Sequence, residues 1–252
     1  MKYTIKQIII YILIIIIIGA IFLSIKYRKV EPQPENNVPI ADNSVKEPIS
    51  MCYYRATKTA RGFYDTAWLK LNTTEDKING EFRNLPAEKD SKIGMFDGTV
   101  GPVDKQSMSR RANVWWDSQA EGMQTKEELI IDFGEGSATV GFGEMVDRGD
   151  GVYVYKDKTK LNYIDSMSQI DCQTLDERLF VEKYVRDNIT TIATNKAVVG
   201  GTWYVISVKI DPVGDTGEVI YEDGHIQSKA NLTYTYQENP ESVSVTKWII
   251  IK

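Results

Sequence analysis

Ala67-Trp68-Leu69-Lys70-Leu71-Asn72 decides the fold class, because Ala67, Leu69 and Leu71 alternate with Trp68, Lys70 and Asn72. A two-residue repeat puts one set on a core face and the other on the opposite face of a strand. The same period returns at Glu128 to Phe133, where Leu129, Ile131 and Phe133 alternate with Glu128, Ile130 and Asp132. Working outward from these two, further strands are expected at Lys77 to Phe82, Gly94 to Val100, Ala112 to Trp116, Ser137 to Met145 and Val152 to Lys156. Turn residues separate them every ten to sixteen positions or so. Seven or eight short antiparallel strands of this spacing predict a small barrel or sandwich over residues 51–173.

Beyond Cys172 the pattern changes. Thr174-Leu175-Asp176-Glu177 reads as a capping box, and Val181, Tyr184, Val185, Asn188 and Ile192 fall at helical spacing as one apolar stripe. Four strand candidates follow, at Thr202 to Ile210, Gly217 to Glu222, His225 to Tyr236 and Ser242 to Ile251. In the third, Ile226, Ser228, Ala230, Leu232, Tyr234 and Tyr236 share a face. Residues 174–252 are therefore expected to form an α+β unit, one helix on a four-stranded antiparallel meander, cystatin-like in outline. The fold class expected is mainly β with α+β.

Ahead of the barrel, Gln7 to Ile25 carries no charge. At about 1.5 Å per residue its length matches the roughly 30 Å hydrocarbon core, so a transmembrane helix is expected within an anchor of residues 1–29. No small-residue pair suited to signal peptidase follows, which favours a retained anchor. Residues 30–50 hold Pro32, Pro34, Pro39 and Pro48 among Asn, Asp and Glu, the composition of an extended linker. Lysines and arginines on the two flanks nearly tie, so orientation rests on the two cysteines. Cys52 and Cys172 bracket the barrel, and a disulfide between them implies an oxidising, extracytoplasmic compartment.

Leu85-Pro86-Ala87-Glu88-Lys89-Asp90-Ser91, Ala120-Glu121-Gly122-Met123, Gly141-Phe142-Gly143-Glu144-Met145, Gly151-Val152-Tyr153-Val154-Tyr155-Lys156-Asp157 and Gly200-Gly201-Thr202-Trp203-Tyr204-Val205 together carry a resemblance. The chain resembles uncharacterised membrane-anchored exported proteins of uncultivated small-genome bacteria. That resemblance implies the anchor and the architecture and transfers no activity.

Candidate ligand-binding residues are Glu88, Glu121, Glu144 and Asp150, with Trp115 and Trp116. Strict alternation from Val140 and Phe142 puts Glu144 on an inner face at a barrel mouth, and the adjacent tryptophans must face opposite ways. A carboxylate pair from this set would also serve glycan hydrolysis. Arg148-Gly149-Asp150 spells an adhesion tripeptide inside a turn-like stretch. His225 is the only histidine, so no serine triad is expected, and neither a metal site nor a cofactor is. A net charge of −5 without a basic stripe disfavours nucleic acid. The reading that results is a non-enzymatic envelope binding module, tethered through residues 7–25, whose partner is another envelope protein, a wall polymer or a small ligand. The alternatives are an envelope glycan hydrolase and, through a loose Gln-x-Val-x-Gly echo at Ala197-Val198-Val199-Gly200, a protease-inhibitor-like module. A thiol titration of the native protein is expected to find no free cysteine.

Overall fold

A computed structural model describes residues 47–163, 165–198 and 200–251, and residues 46–252 form one compact unit. The expected spanning segment at residues 7–25 lies outside the described residues. Among the described residues no helix is long and apolar enough to cross a membrane. The linker ends sooner than expected, since the first strand begins at Ile49.

Eight strands close a barrel. They are β1 (Ile49–Lys58), β2 (Tyr64–Thr74), β3 (Lys77–Leu85), β4 (Lys92–Val100), β5 (Ser109–Ala120), β6 (Met123–Gly134), β7 (Ser137–Val140) and β10 (Met167–Ile170). Each is antiparallel to its neighbours, and β10 closes the ring between β7 and β1. Between β7 and β10 the chain makes an excursion holding β8 (Met145–Asp147) and β9 (Val152–Tyr155), and β9 runs parallel to β6 along its outer part.

Alternation places the core where it was expected. Leu69 and Leu71, Leu129, Ile131 and Phe133, with Phe82, Phe96 and Trp116, fill the interior. Closing so small a ring brings strands close at its bends, which explains inward-facing glycines. A Cβ built on Gly94 would stand 2.1 Å from the Asp117 carbonyl oxygen, and one on Gly80 would stand 2.1 Å from that of Lys70.

The expected strand from Ser137 to Met145 breaks at Gly141. Tyr163 packs 3.0 Å from where a Gly141 Cβ would be, and Leu161 2.6 Å from a Gly143 Cβ, so the chain bends around these side chains. Strands β1 and β10 escaped the alternation altogether, and β2, β5 and β6 begin earlier than it marks, at Tyr64, Ser109 and Met123.

Helix α1 (Cys172–Ile192) begins before the predicted cap. Its N-cap is Asp171, whose Oδ1 accepts from the backbone N–H groups of Gln173 (2.9 Å) and Thr174 (3.2 Å). Glu177, read as the reciprocal half of a capping box, instead accepts a hydrogen bond from the Tyr234 hydroxyl at 2.9 Å. The expected single stripe is also corrected, because α1 buries two faces. Val181, Val185 and Ile189 pack on a sheet of β11 (Tyr204–Asp211), β12 (Thr216–Glu222), β13 (Gln227–Glu238) and β14 (Glu241–Ile251). Leu175 and Leu179 pack instead on the outer barrel wall, against Cys52, Tyr54 and Trp68. Tyr184, Asn188 and Ile192 are only half-buried. The four strands form the predicted meander in sequence order, with Ala230, Leu232 and Tyr234 on its core face.

Cys52 and Cys172 are disulfide-bonded, with their Cα atoms 5.1 Å apart. The bond ties β1 to the first residue of α1 and closes a loop spanning a sequence separation of 120. In the chain-entropy description such a loop contributes about 4 to 5 kcal/mol.

Gly94→Ala is expected to lower stability by about 2 kcal/mol or more, as overpacking against backbone does. Gly101→Ala meets nothing nearer than 3.5 Å and is the matched control. Denaturant midpoints of the two variants against the parent measure the difference.

Candidate functional site

Strand directions sort the barrel's ends. The loops β1–β2, β3–β4 and β5–β6, and the 141–166 excursion, all lie at one end. Inward positions are apolar through most of the barrel, but at this end they turn polar. Asn84 is paired with Lys92 across β3 and β4, Ser118 with Thr125 and Trp116 with Glu127 across β5 and β6, so all six side chains face the lumen.

These groups are bonded to one another. The Ser118 and Thr125 hydroxyls lie 2.8 Å apart, and the Thr125 hydroxyl donates to Glu127 Oε1 at 2.8 Å. Lys92 forms an ion pair with the same carboxylate oxygen, and its Nζ stands 5.3 Å from the centroid of the Trp116 ring. The Trp116 indole N–H donates to the Gly94 carbonyl at 3.0 Å, which fixes the ring as a floor. Phe142 and Met145 from the excursion supply one wall. Tyr155 supports it from behind, its hydroxyl donating to the Gly141 carbonyl at 2.7 Å, and burial drives that phenol well above its ordinary range. Asn84, Asp90, Lys92, Glu127 and Glu128 are the polar groups lining the resulting cavity, to which Ser118 and Thr125 connect only through Glu127; it measures about 310 Å³, at the lower limit of the range typical for small-ligand sites. Glu128, next in sequence to Glu127, points to the outer face, where Lys158 pairs with it at 2.5 Å.

The residues singled out from sequence lie at the same end without meeting. Glu88 is on the β3–β4 loop and pairs with Arg61 at 2.6 Å. Glu121 is exposed in the β5–β6 turn, at φ 49°. Asp150 pairs with Arg148 at 2.5 Å in the β8–β9 turn, and that guanidinium holds its carboxyl below the usual range. Glu144 faces solvent rather than the lumen and pairs with Lys156 at 2.7 Å, because the Gly141 bend ends the alternation that would have turned it inward. Phe142 is 37% exposed for the same reason. None of the four carboxylates lines the mouth cavity. The tryptophans divide as adjacency requires. Trp116 is buried in the lumen, and Trp115 lies outside under the Arg148 guanidinium, 5.6 Å from its ring centroid.

His225 is exposed in the β12–β13 loop. Asp223 organises that loop, accepting from the N–H groups of His225 and Ile226 through Oδ1 and from Val198 through Oδ2. Those backbone donors hold its carboxyl below the ordinary carboxylate range. Of the Gln-x-Val-x-Gly echo, Val198 is thus tied to the loop by its amide, and Val199 lies outside the described residues. Among the described residues no group of three or more His, Cys, Asp and Glu side chains is arranged to hold a metal ion.

Reading from sequence missed Lys92 and Glu127. The signal available was parity: Glu127 lies two residues before Leu129 in an established alternation, which places it on the inner face. Compared with protein families, curated proteins and solved structures, the chain matches none.

Lys92→Met leaves the Glu127 carboxylate half-buried and without its cation. The expected cost is about 2 kcal/mol, less than for a fully buried pair because Lys92 is about a third exposed. Adding Glu127→Leu is expected to restore most of that loss, and a double-mutant cycle by urea denaturation measures both terms.

Proposed function

We propose that this protein is a membrane-tethered, extracytoplasmic binding module that takes a small hydroxyl- or amide-rich ligand at the polar mouth of its barrel. The observation that carries the reading is the change of lining at that end. An apolar lumen gives way to Asn84, Lys92 and Glu127 lining a cavity above an indole floor, with Ser118 and Thr125 bonded behind Glu127 and a wall supplied by a separate excursion of the chain. Buried polar groups cost free energy unless bonded, so a polar layer at one end of a hydrophobic barrel is not what packing alone selects.

The tether is supported by the uncharged run at residues 7–25, and the compartment by the Cys52–Cys172 bond. A wall glycan fragment fits the mouth's chemistry, since hydroxyl groups donate to carboxylates and accept from ammonium and amide groups. Hydrolysis has less support. The carboxylates lining the cavity are Asp90, Glu127 and Glu128, and the last two are each paired with a lysine, Lys92 and Lys158, which leaves neither free to act as a general acid or base.

Titrating the detergent-solubilised full chain with N-acetylglucosamine disaccharide and with soluble peptidoglycan fragments tests the reading through tryptophan fluorescence. At least one probe is expected to give a saturable change that Lys92→Met/Glu127→Leu abolishes, without new reducing ends. No response to either probe, or a response that survives in the variant, overturns it.

A further inference from the structure

A second cleft lies between α1 and the outer wall of β2 and β3, away from the barrel mouth. It measures about 630 Å³, and its apolar floor is Trp68, Leu85, Leu179 and Phe180. Charged side chains ring it, and nearly all are engaged. Lys70 pairs with Asp176 at 2.8 Å, Arg83 with Glu81 at 2.6 Å and Lys183 with Asp187 at 2.5 Å. Arg186 donates to the Val205 carbonyl at 3.0 Å, and Glu241 accepts from the Tyr236 hydroxyl at 3.1 Å.

Glu182 is the exception. It lines the cleft from the middle of α1, is only 8% exposed, and its Oε1 has no hydrogen-bond partner. Removing a carboxylate from water without a partner is expensive, so such a group marks either strain or a function. The groups around it offset that cost only in part. Arg178 and Arg186 stand one turn away on either side along α1, and Arg178 is committed to the face of Tyr54 on β1, 4.1 Å from its ring centroid. Burial, together with the Glu182 carboxylate, drives the Tyr54 phenol well above the ordinary range. From the barrel wall, Lys70 and Arg83 face the cleft already paired.

Two properties select the ligand. The lining carries four basic and five acidic side chains, and Arg178 beside Glu182 brings the charges level, so what is unmet is the hydrogen bonding of Glu182 Oε1 rather than net charge. Its floor is aromatic and aliphatic. We infer that this cleft binds a monocationic amine on an apolar body, with the ammonium on Glu182 and the hydrocarbon against Leu179 and Phe180. An ammonium brings up to three donors and a full positive charge to a carboxylate whose Oε1 has no hydrogen-bond partner. A neutral alcohol supplies a donor without the charge, and a carboxylic acid supplies neither at neutral pH.

The pH dependence follows from the same group. Burial pushes the Glu182 carboxyl up to about 7, against the pull of the two arginines. A cation binds the ionised form, so affinity is low while the carboxyl holds its proton and rises as pH passes through that value.

The test uses the full chain and n-hexylammonium, 1-hexanol and hexanoate, with binding followed by calorimetry at pH 8 and pH 5.5. At pH 8 n-hexylammonium is expected to bind about tenfold or more tighter than 1-hexanol, the scale of a hydrogen bond to a charged group, and hexanoate not to bind. The preference is expected to shrink by about tenfold at pH 5.5 and to vanish in Glu182→Gln. Glutamine is isosteric and removes a buried charge, so the variant should melt no lower than the parent at pH 8. Equal affinity for the amine and the alcohol, or a preference that survives Glu182→Gln, overturns the inference. A lysine-containing tripeptide and its norleucine counterpart distinguish a polypeptide lysine from a free amine as the source of the cation. The site is independent of the barrel mouth, so loss of binding in Lys92→Met/Glu127→Leu would also count against it.

Discussion

Strand β1 is buried on both faces, and the rest of the molecule is arranged around that constraint. Tyr53 points into the barrel, where its hydroxyl reaches the Gly134 carbonyl at 2.9 Å, while Cys52 and Tyr54 point outward against α1. From Cys52 to Tyr54 the strand is paired by β2 on one side and β10 on the other, which leaves no backbone there for solvent. Its outer face therefore needs a cover, and α1 supplies one while its opposite face packs on the four-stranded sheet. Removing water from apolar surface drives both contacts, but the helix can satisfy them together only because it presents two stripes rather than one.

That double burial also explains what the sequence could and could not reveal. Alternation is visible where one face is wet or weakly covered, as in Ala67 to Asn72 and in Ala230, Leu232 and Tyr234, and there the expected faces match the structure. Met51 to Tyr54 is apolar at every position, so it carries no period to read. The four residues of β10 are too few to carry one. On α1, the second stripe at Leu175 and Leu179 was hidden because residues on two faces blur a single helical period. The cap moved to Asp171 because both Asp171 and Thr174 suit that role, and the bond from Cys172 to β1 holds the earlier start in place.

The candidate site shows a related difference. Acidic residues in loops are conspicuous in a sequence because turn composition gathers them, yet Glu88, Glu144 and Asp150 each meet a basic neighbour at the surface and share no cavity. Glu127 and Glu182 are inconspicuous, one within a strand and one within a helix. Their burial comes from pairing register and from the packing of α1 on the barrel, which are tertiary facts. A carboxylate's environment is set by the face it occupies rather than by its company in sequence.

The disulfide has a mechanical side. It joins Cys52, three residues into the first strand, to Cys172, the first residue of α1, so the intervening barrel is a covalent loop hung from one point. Tension applied between the start of β1 and the C-terminal sheet passes through that bond and along α1. Only the pairing of Ile49 to Met51 with β2 lies ahead of that bond, and the remaining ladders of the barrel stand outside the path of the force. A pull that would unzip an unbridged barrel strand by strand leaves this one, and the lining of its mouth, unloaded until a sulfur bond breaks.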